Sequence, residues 1–219
     1  MLSIALKAGF AVCFSLCWVS SSAVADVAPT KTIVLLRHGE KPALGLGQLT
    51  CQGLNRALAL PRVIEKEFGK PDAILAPDPG QSKEDQGRPY SYVRPLATIE
   101  PTAIVFELPV DASVGFTDLD GLRQKLESPT YRNALVIVAW EHFYIAQLSR
   151  LIVGKHGGDP GLVPDWPPDD YDSFYVIKLH EGTDSPAVNF ERRRENLDGQ
   201  PTTCPGPASG SAPSPTWPT

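Results

Sequence analysis

Short, almost wholly apolar runs alternate along this chain with longer stretches in which apolar residues return every three or four positions. The runs are Thr32-Ile33-Val34-Leu35-Leu36, the segment from Pro71 to Pro77, Ile104 to Leu108, Ala134 to Ala139, and Phe174 to Ile177. Continuous apolar stretches of this length, bounded by turn residues, predict strands buried on both faces. Helical spacing fills the gaps. Leu54, Leu58, Val63, Ile64 and Phe68 mark one predicted helix, capped by Thr50, kinked at Pro61 and stopped by Gly69. A second starts near Tyr92 and carries Arg94 and Thr98. Leu119, Leu122 and Leu126 mark a third; Ile145, Leu148, Leu151 and Ile152 mark a fourth that ends at Gly157-Gly158. The polar segment from Asp78 to Pro89, punctuated by Gly and Pro, predicts a loop. Strand and helix in alternation predict an α/β protein of three layers, with a mostly parallel central sheet between helices.

The two ends read differently. Residues 1–25 carry Lys7, the apolar stretch Ala8 to Val19 and the small-x-small site Ala23-Val24-Ala25, the pattern of a cleavable secretory signal. The apolar stretch is short of the roughly 20 residues that span a bilayer. The expected location is therefore periplasmic or secreted, without stable membrane insertion. From Pro201 onward, Pro, Ser, Gly and Thr dominate, so residues 201–219 read as a tail outside the packed domain, disordered except near Cys204. Residues 26–200 remain for one domain, enough for a single core.

Cleavage after Ala25 removes Lys7 and no acid, taking the formal net charge from −5 to −6. An acidic chain without a basic patch argues against nucleic acid as a partner. Cys13 and Cys17 leave with the signal, and the remaining pair, Cys51 and Cys204, is expected to be bridged in an oxidising compartment.

The densest chemistry sits at two predicted strand ends. Arg37-His38-Gly39-Glu40-Lys41-Pro42 follows the first run, and Trp140-Glu141-His142 follows the fourth. In open parallel sheets ligands bind outside the carboxyl ends of the strands, so both segments fall where a shared site would form. A neutral imidazole can attack phosphorus if fixed donors neutralise the phosphate and the ring is held in one orientation. Arg37 offers a planar donor fork, Gly39 permits a sharp turn, and His142 opens a helix whose N-terminus favours an anion.

The strand leading into Arg37-His38-Gly39, followed by Leu49-Thr50-Cys51-Gln52-Gly53-Leu54-Asn55-Arg56-Ala57, resembles the opening signatures of the histidine phosphatase superfamily. His142 matches that superfamily's second pocket histidine. The resemblance covers about Thr32 to Ile177 and implies a phosphoglycerate mutase-like fold. It also implies a histidine acid phosphatase-like phosphomonoesterase needing no metal or other cofactor, acting on a phosphorylated small molecule through a phosphohistidine on His38.

By the same resemblance Arg37, Arg94 and His142 hold the phosphate. Arg94 stands in a blurred form of the family's arginine motif, Arg94-Pro95-Leu96-Ala97-Thr98, with Arg88 as its competitor. The proton donor is assigned to Glu141, with Glu107 and Asp111 as alternatives near the expected third strand; Phe143 stands where one branch of the superfamily carries an aspartate donor. Glu40 is expected to orient Lys41 or its loop, and Lys41 with the segment Asp78 to Pro89 to border the pocket. The sparse histidines form no zinc pattern, and His156 and His180 receive no role. The rival reading is a phosphate-recognising module of the same fold that binds without turnover.

Overall fold

The computed structural model describes residues 30–180 and 188–206; the predicted signal segment and the tail beyond residue 206 lie outside these. Four strands run parallel side by side: β5 (Val110–Val114), β2 (Ala73–Pro77), β6 (Leu135–Trp140) and β1 (Thr30–Arg37). β7 (Ser173–His180) joins antiparallel to β1, and β8 (Val188–Arg194) antiparallel to β7, completing six strands. The α/β, three-layer, mostly parallel architecture is as the pattern predicts.

Alternation along the central strands builds two cores. Ile33, Leu35, Val136 and Val138 face α3 (Leu119–Leu126) and α4 (His142–Lys155), packing with Leu122, Leu126, Ile145, Leu148 and Ile152. Their neighbours Val34, Leu36, Ile137 and Ala139 face α1 (Cys51–Phe68) and α2 (Arg94–Phe106), packing with Leu60, Ile64, Ile99 and Ala103. Because side chains of a strand alternate between faces, the uninterrupted apolar runs follow from helices covering both sides.

α1 begins and ends as expected: the Thr50 hydroxyl accepts from Gly53 N at 3.1 Å, and Gly69 closes it. Pro61 is accommodated inside one continuous helix, and the buried stripe runs through Ala57, Leu60 and Ile64 while Leu58 is exposed. Leu151 of α4 is likewise exposed.

The strand assignments differ from expectation at three places. Ile104 to Phe106 belong to α2, which runs past them to a left-handed Glu107, and the strand follows at β5. Ile104 and Val105 lie on the helix's exposed side, so their β-branched character mimics a strand without being buried as one. The segment read as a loop contains the hairpin β3 (Ser82–Asp85) and β4 (Arg88–Ser91), a two-stranded sheet of its own. β7 is not the last strand, since β8, written mostly in charged residues, adds an outer edge.

Cys51 and Cys204 are joined by a disulfide. Asn55 Nδ2 donates to the carbonyls of Pro201 and Thr203, both at 2.8 Å, so the start of the tail lies along the first turns of α1. In the chain-entropy account, closing so long a loop constrains the unfolded chain by about 5 kcal/mol.

Arg56, on the buried face of α1, is 1% exposed and gathers carboxylates from three segments. It pairs with Glu40 at 2.8 Å, Glu195 at 2.8 Å and Asp172 at 3.2 Å. Glu40 therefore answers to Arg56 and not to Lys41. Glu195 Oε1 has no hydrogen-bond partner among the described residues. Burial drives the Glu195 carboxyl up to about 8, with Asp172 and Glu40 adding to the rise and Arg56 opposing it.

An acid whose folded value is raised favours the fold where it is protonated in the folded chain. The Glu195 contribution is thus fully present below about 4.5 and is lost as pH rises through about 8. Thermal melts of wild type are expected to fall over that window. Glu195→Gln should flatten the fall and melt a few degrees above wild type at the alkaline end; parallel curves for the two proteins would show that Glu195 carries no proton in the fold.

Candidate active site

Register is what assembles the site. β1 pairs β6 so that Arg37 stands opposite Trp140, and His38 N donates to Trp140 O at 3.0 Å. The two strand ends therefore release Arg37-His38 and Glu141-His142 side by side. α2 closes the arrangement from the other face: Gly39 N donates to the Thr98 hydroxyl at 2.9 Å, and that hydroxyl donates to Arg94 O at 2.8 Å. Thr98, one turn along the helix from Arg94, ties the first turn of α2 to the backbone beside His38. Gly39 is required by contact: a Cβ there would lie 3.0 Å from the Gly53 backbone of α1.

His38 is 2% exposed. Its Nδ1 lies 2.8 Å from the Gly39 carbonyl, which can only accept, so Nδ1 carries the proton and Nε2 keeps the lone pair. Burial, then the nearby charges of Arg94 and Arg37, hold the imidazole well below its ordinary 6.5. The ring is neutral at neutral pH and is flanked by Tyr92 and Tyr171, each with its centroid 6.2 Å away.

Both arginines are buried and only partly satisfied. Arg37 Nη1 donates to the carbonyls of Pro168 and Asp170 at 2.7 and 2.9 Å, its guanidinium stacks 3.8 Å from the Tyr171 ring centroid, and its Nε is unpartnered among the described residues. Arg94 pairs through Nη1 with Asp85 of β3, and its Nε is also without a partner among them. Each of these two buried cations thus keeps an unused Nε donor beside a neutral imidazole. Arg88, the competitor for Arg94, is exposed on β4.

Glu141 is the N-cap residue of α4, and its Oε1 lies 3.0 Å from His142 Nδ1 and 3.5 Å from Lys83 Nζ. Burial works to raise this carboxyl, but His142 and Lys83 outweigh it and hold Glu141 down at about 2. The alternatives sit elsewhere: Asp111, within β5, is engaged by Lys125 at 2.6 Å and Ser113 at 2.7 Å, and Glu107 is the C-cap of α2.

Three groups escaped the sequence reading. Lys83 is half-buried, with burial lowering its ammonium below the ordinary value, and stands over the rings of Tyr92 and Phe116. Asp85 occupies Arg94. The Tyr92 hydroxyl is buried with no hydrogen-bond partner among the described residues, and burial with Glu141 nearby raises it well above 10. The alternation Ser82, Lys83, Glu84, Asp85 at period two carried the signal for the first two, hidden in what read as a polar loop. No group of three or more potential metal ligands occurs among the described residues, and no helix among them is long and apolar enough to cross a membrane.

No family model matches the chain, and no curated protein does. Similar solved structures include the phosphoglycerate mutase of Plasmodium falciparum, 15% identical over 74% of this chain and 89% of that one, with a TM-score of 0.48. A mycobacterial glucosyl-3-phosphoglycerate phosphatase solved with inorganic phosphate is 14% identical over 74% of this chain and 95% of that one, TM-score 0.47. An Entamoeba histolytica phosphoserine phosphatase mutant, in complex with phosphoserine, is 14% identical over 76% and 98%, TM-score 0.45. Likenesses this distant say nothing of what the present chain acts on, so the functional reading rests on its own residues.

The locked tautomer has a direct consequence in solution. Nitrogen NMR of His38 is expected to show a neutral ring protonated on Nδ1 at neutral pH, with any titration displaced well below 6.5. A titration centred near 6.5 would mean that the ring is solvated and free of the two arginines.

Proposed function

We propose that this protein is a metal-independent phosphomonoester hydrolase of the histidine phosphatase superfamily, working through a phosphohistidine on His38. One observation carries the reading: a buried imidazole fixed as the neutral Nδ1–H tautomer between two buried arginines whose Nε donors are unused. A structural histidine needs neither cation, and two unpaired guanidinium donors would be costly to bury without an anion to receive them.

In this mechanism Arg37, Arg94 and His142 hold the phosphoryl oxygens while His38 Nε2 attacks phosphorus and the bond to the ester oxygen breaks. The leaving alkoxide needs a proton. Glu141, the nearest carboxyl, is ionised in the resting protein, so the proton arrives with the substrate: a phosphomonoester, whose second pKa is near 6, binds as the monoanion and passes its proton through Glu141 to the leaving oxygen. Water then attacks the phosphohistidine, giving inorganic phosphate and restoring neutral His38. Turnover on this account is highest on the acid side of neutrality, as for a histidine acid phosphatase. The amino-terminal segment supports export to the periplasm or beyond as the site of action.

A module that binds phosphate without turnover is the second reading. The observation in its favour is Glu141 itself, held at about 2 and so a poor resting acid.

The mature protein is expected to hydrolyse p-nitrophenyl phosphate in the presence of EDTA, with kcat/KM falling above about pH 6 and activity lost in His38→Ala. A folded wild type that binds phosphate but releases no p-nitrophenol would leave the binding module standing.

Leaving-group dependence isolates the donor. Glu141→Gln should slow alkyl phosphates by about 10²-fold or more and p-nitrophenyl phosphate much less, because nitrophenolate departs without a proton. Equal losses on both esters would remove Glu141 from proton transfer.

A further inference from the structure

β3 presents alternate side chains to the active site. Ser82 and Glu84 are exposed, while Lys83 and Asp85 turn inward. Each inward residue ends on a charged group of the site: Lys83 Nζ lies 3.5 Å from Glu141 Oε1, and Asp85 Oδ2 pairs with Arg94 Nη1. The other oxygen of Asp85 accepts from Lys41 Nζ at 2.9 Å.

Carboxylate and phosphate present similar oxygen pairs to a guanidinium. Asp85 thus holds a donor that a bound phosphate would need, on an arginine that is 1% exposed. With Arg37 at 3% and His38 at 2%, the site is closed as it stands.

We propose that Asp85 is an internal competitor for the phosphate site: the hairpin from Ser82 to Ser91 keeps its carboxylate on Arg94 until a phosphomonoester displaces it. The proposal deepens the reading of Arg94 as a phosphate donor and rests on it. It makes Asp85 a specificity-determining residue, because anions too weak to outcompete a carboxylate already in place are turned away.

The surroundings are shaped for both states. Gly45, at φ 79°, lies so close that any side chain there would collide with Asp85, and Gly47, at φ 68°, sits against the Ser91 carbonyl while its own carbonyl accepts from Arg94 N at 3.0 Å. The Gly-rich connection is therefore a close-fitting cradle for the carboxylate. Release is equally provided for. Among the described residues the two hairpin strands pair only with each other, and an isolated two-stranded ribbon is marginally stable. A groove of about 340 Å³ lined by Leu44, Leu46, Gln86, Arg88 and Tyr90 separates the hairpin tip from the connection. On leaving Arg94, Asp85 retains Lys41 as counter-ion, so no bare carboxylate results. Burial works to raise the Asp85 carboxyl, yet Lys41 and Arg94 reverse this and keep it below its ordinary value, so the competitor is charged.

Inorganic phosphate binding, measured by calorimetry on the mature protein, tests the proposal beside hydrogen exchange of the hairpin amides. An internal ligand occupying its site in nine molecules of ten lowers apparent affinity about tenfold. Asp85→Asn and Asp85→Ala should therefore bind phosphate about tenfold more tightly than wild type, and phosphate should speed exchange at residues 82–91 of the wild type. Unchanged or weaker binding in the variants would overturn the proposal, casting Asp85 as a residue that orients Arg94. Tighter binding without any change in wild-type hairpin exchange would overturn it too, reducing Asp85 to a nearby negative charge. If the variants fail to fold, exchange in the wild type decides alone. Absence of phosphate binding in both proteins with p-nitrophenyl phosphate hydrolysis intact sinks the competition and spares the phosphatase; absence of both activities sinks the two together.

Discussion

The parallel pairing of β1 with β6 is the constraint on which everything at this site depends. Arg37 opposite Trp140 brings the two histidine-bearing segments out at neighbouring strand ends, and the bond from His38 N to Trp140 O fixes that register at its last rung. A slip of one residue would turn every apolar side chain of β1 to the wrong core and carry His38 away from Glu141. Core and chemistry are thus specified by one ladder: the alternation that sends Ile33 and Leu35 to one layer, and Val34 and Leu36 to the other, also decides where the imidazole emerges.

Around that ladder the charges fall into two groups with opposite balance. The proposed phosphate site holds Arg37, Arg94 and Lys83 against Glu141 and Asp85, with the Nε donors of both arginines unpartnered among the described residues. On the other side of the Arg37-to-Lys41 turn, Arg56 faces an excess of carboxylates in Glu40, Asp172 and Glu195, and burial leaves one of them protonated near neutrality. Glu40 is only two residues from His38, yet its carboxylate is drawn to Arg56. Arg56 thereby keeps a negative charge away from the proposed anion pocket, and the desolvation of these charges is offset by the shared guanidinium and, at Asp172, also by Arg194 and the amides of Asn196 and Leu197.

The layers and the two histidine strand ends were legible in the sequence because buried parallel strands leave continuous apolar runs and because a strand-end Arg-His-Gly has few structural uses. Ile104 to Phe106 misled for a physical reason: β-branched residues on the outer side of a helix look locally like a buried strand, and only packing against β2 and α1 distinguishes them. β8 was missed because its apolar signal is confined to Val188 and Phe190, with Glu191, Arg192, Arg193 and Arg194 filling most of the rest of the strand. The β3–β4 hairpin hid behind polar composition, since a ribbon resting on a charged site alternates exposed with ion-paired residues and not polar with apolar ones. Asp85 could not be found from spacing to any histidine, because its role arises from Arg94 nine residues ahead across a turn.

The bridge between Cys51 and Cys204 sets an order of events for a newly made chain. The thiol of Cys51 belongs to the first turn of α1, and its partner arrives only after β8 and the turn following it have been synthesised. The link can close only on a chain that is all but finished. A chain cut short before residue 204 would therefore carry every residue of the proposed site, with its closing segment held to α1 by non-covalent contacts alone, those of Asn55 and Arg56.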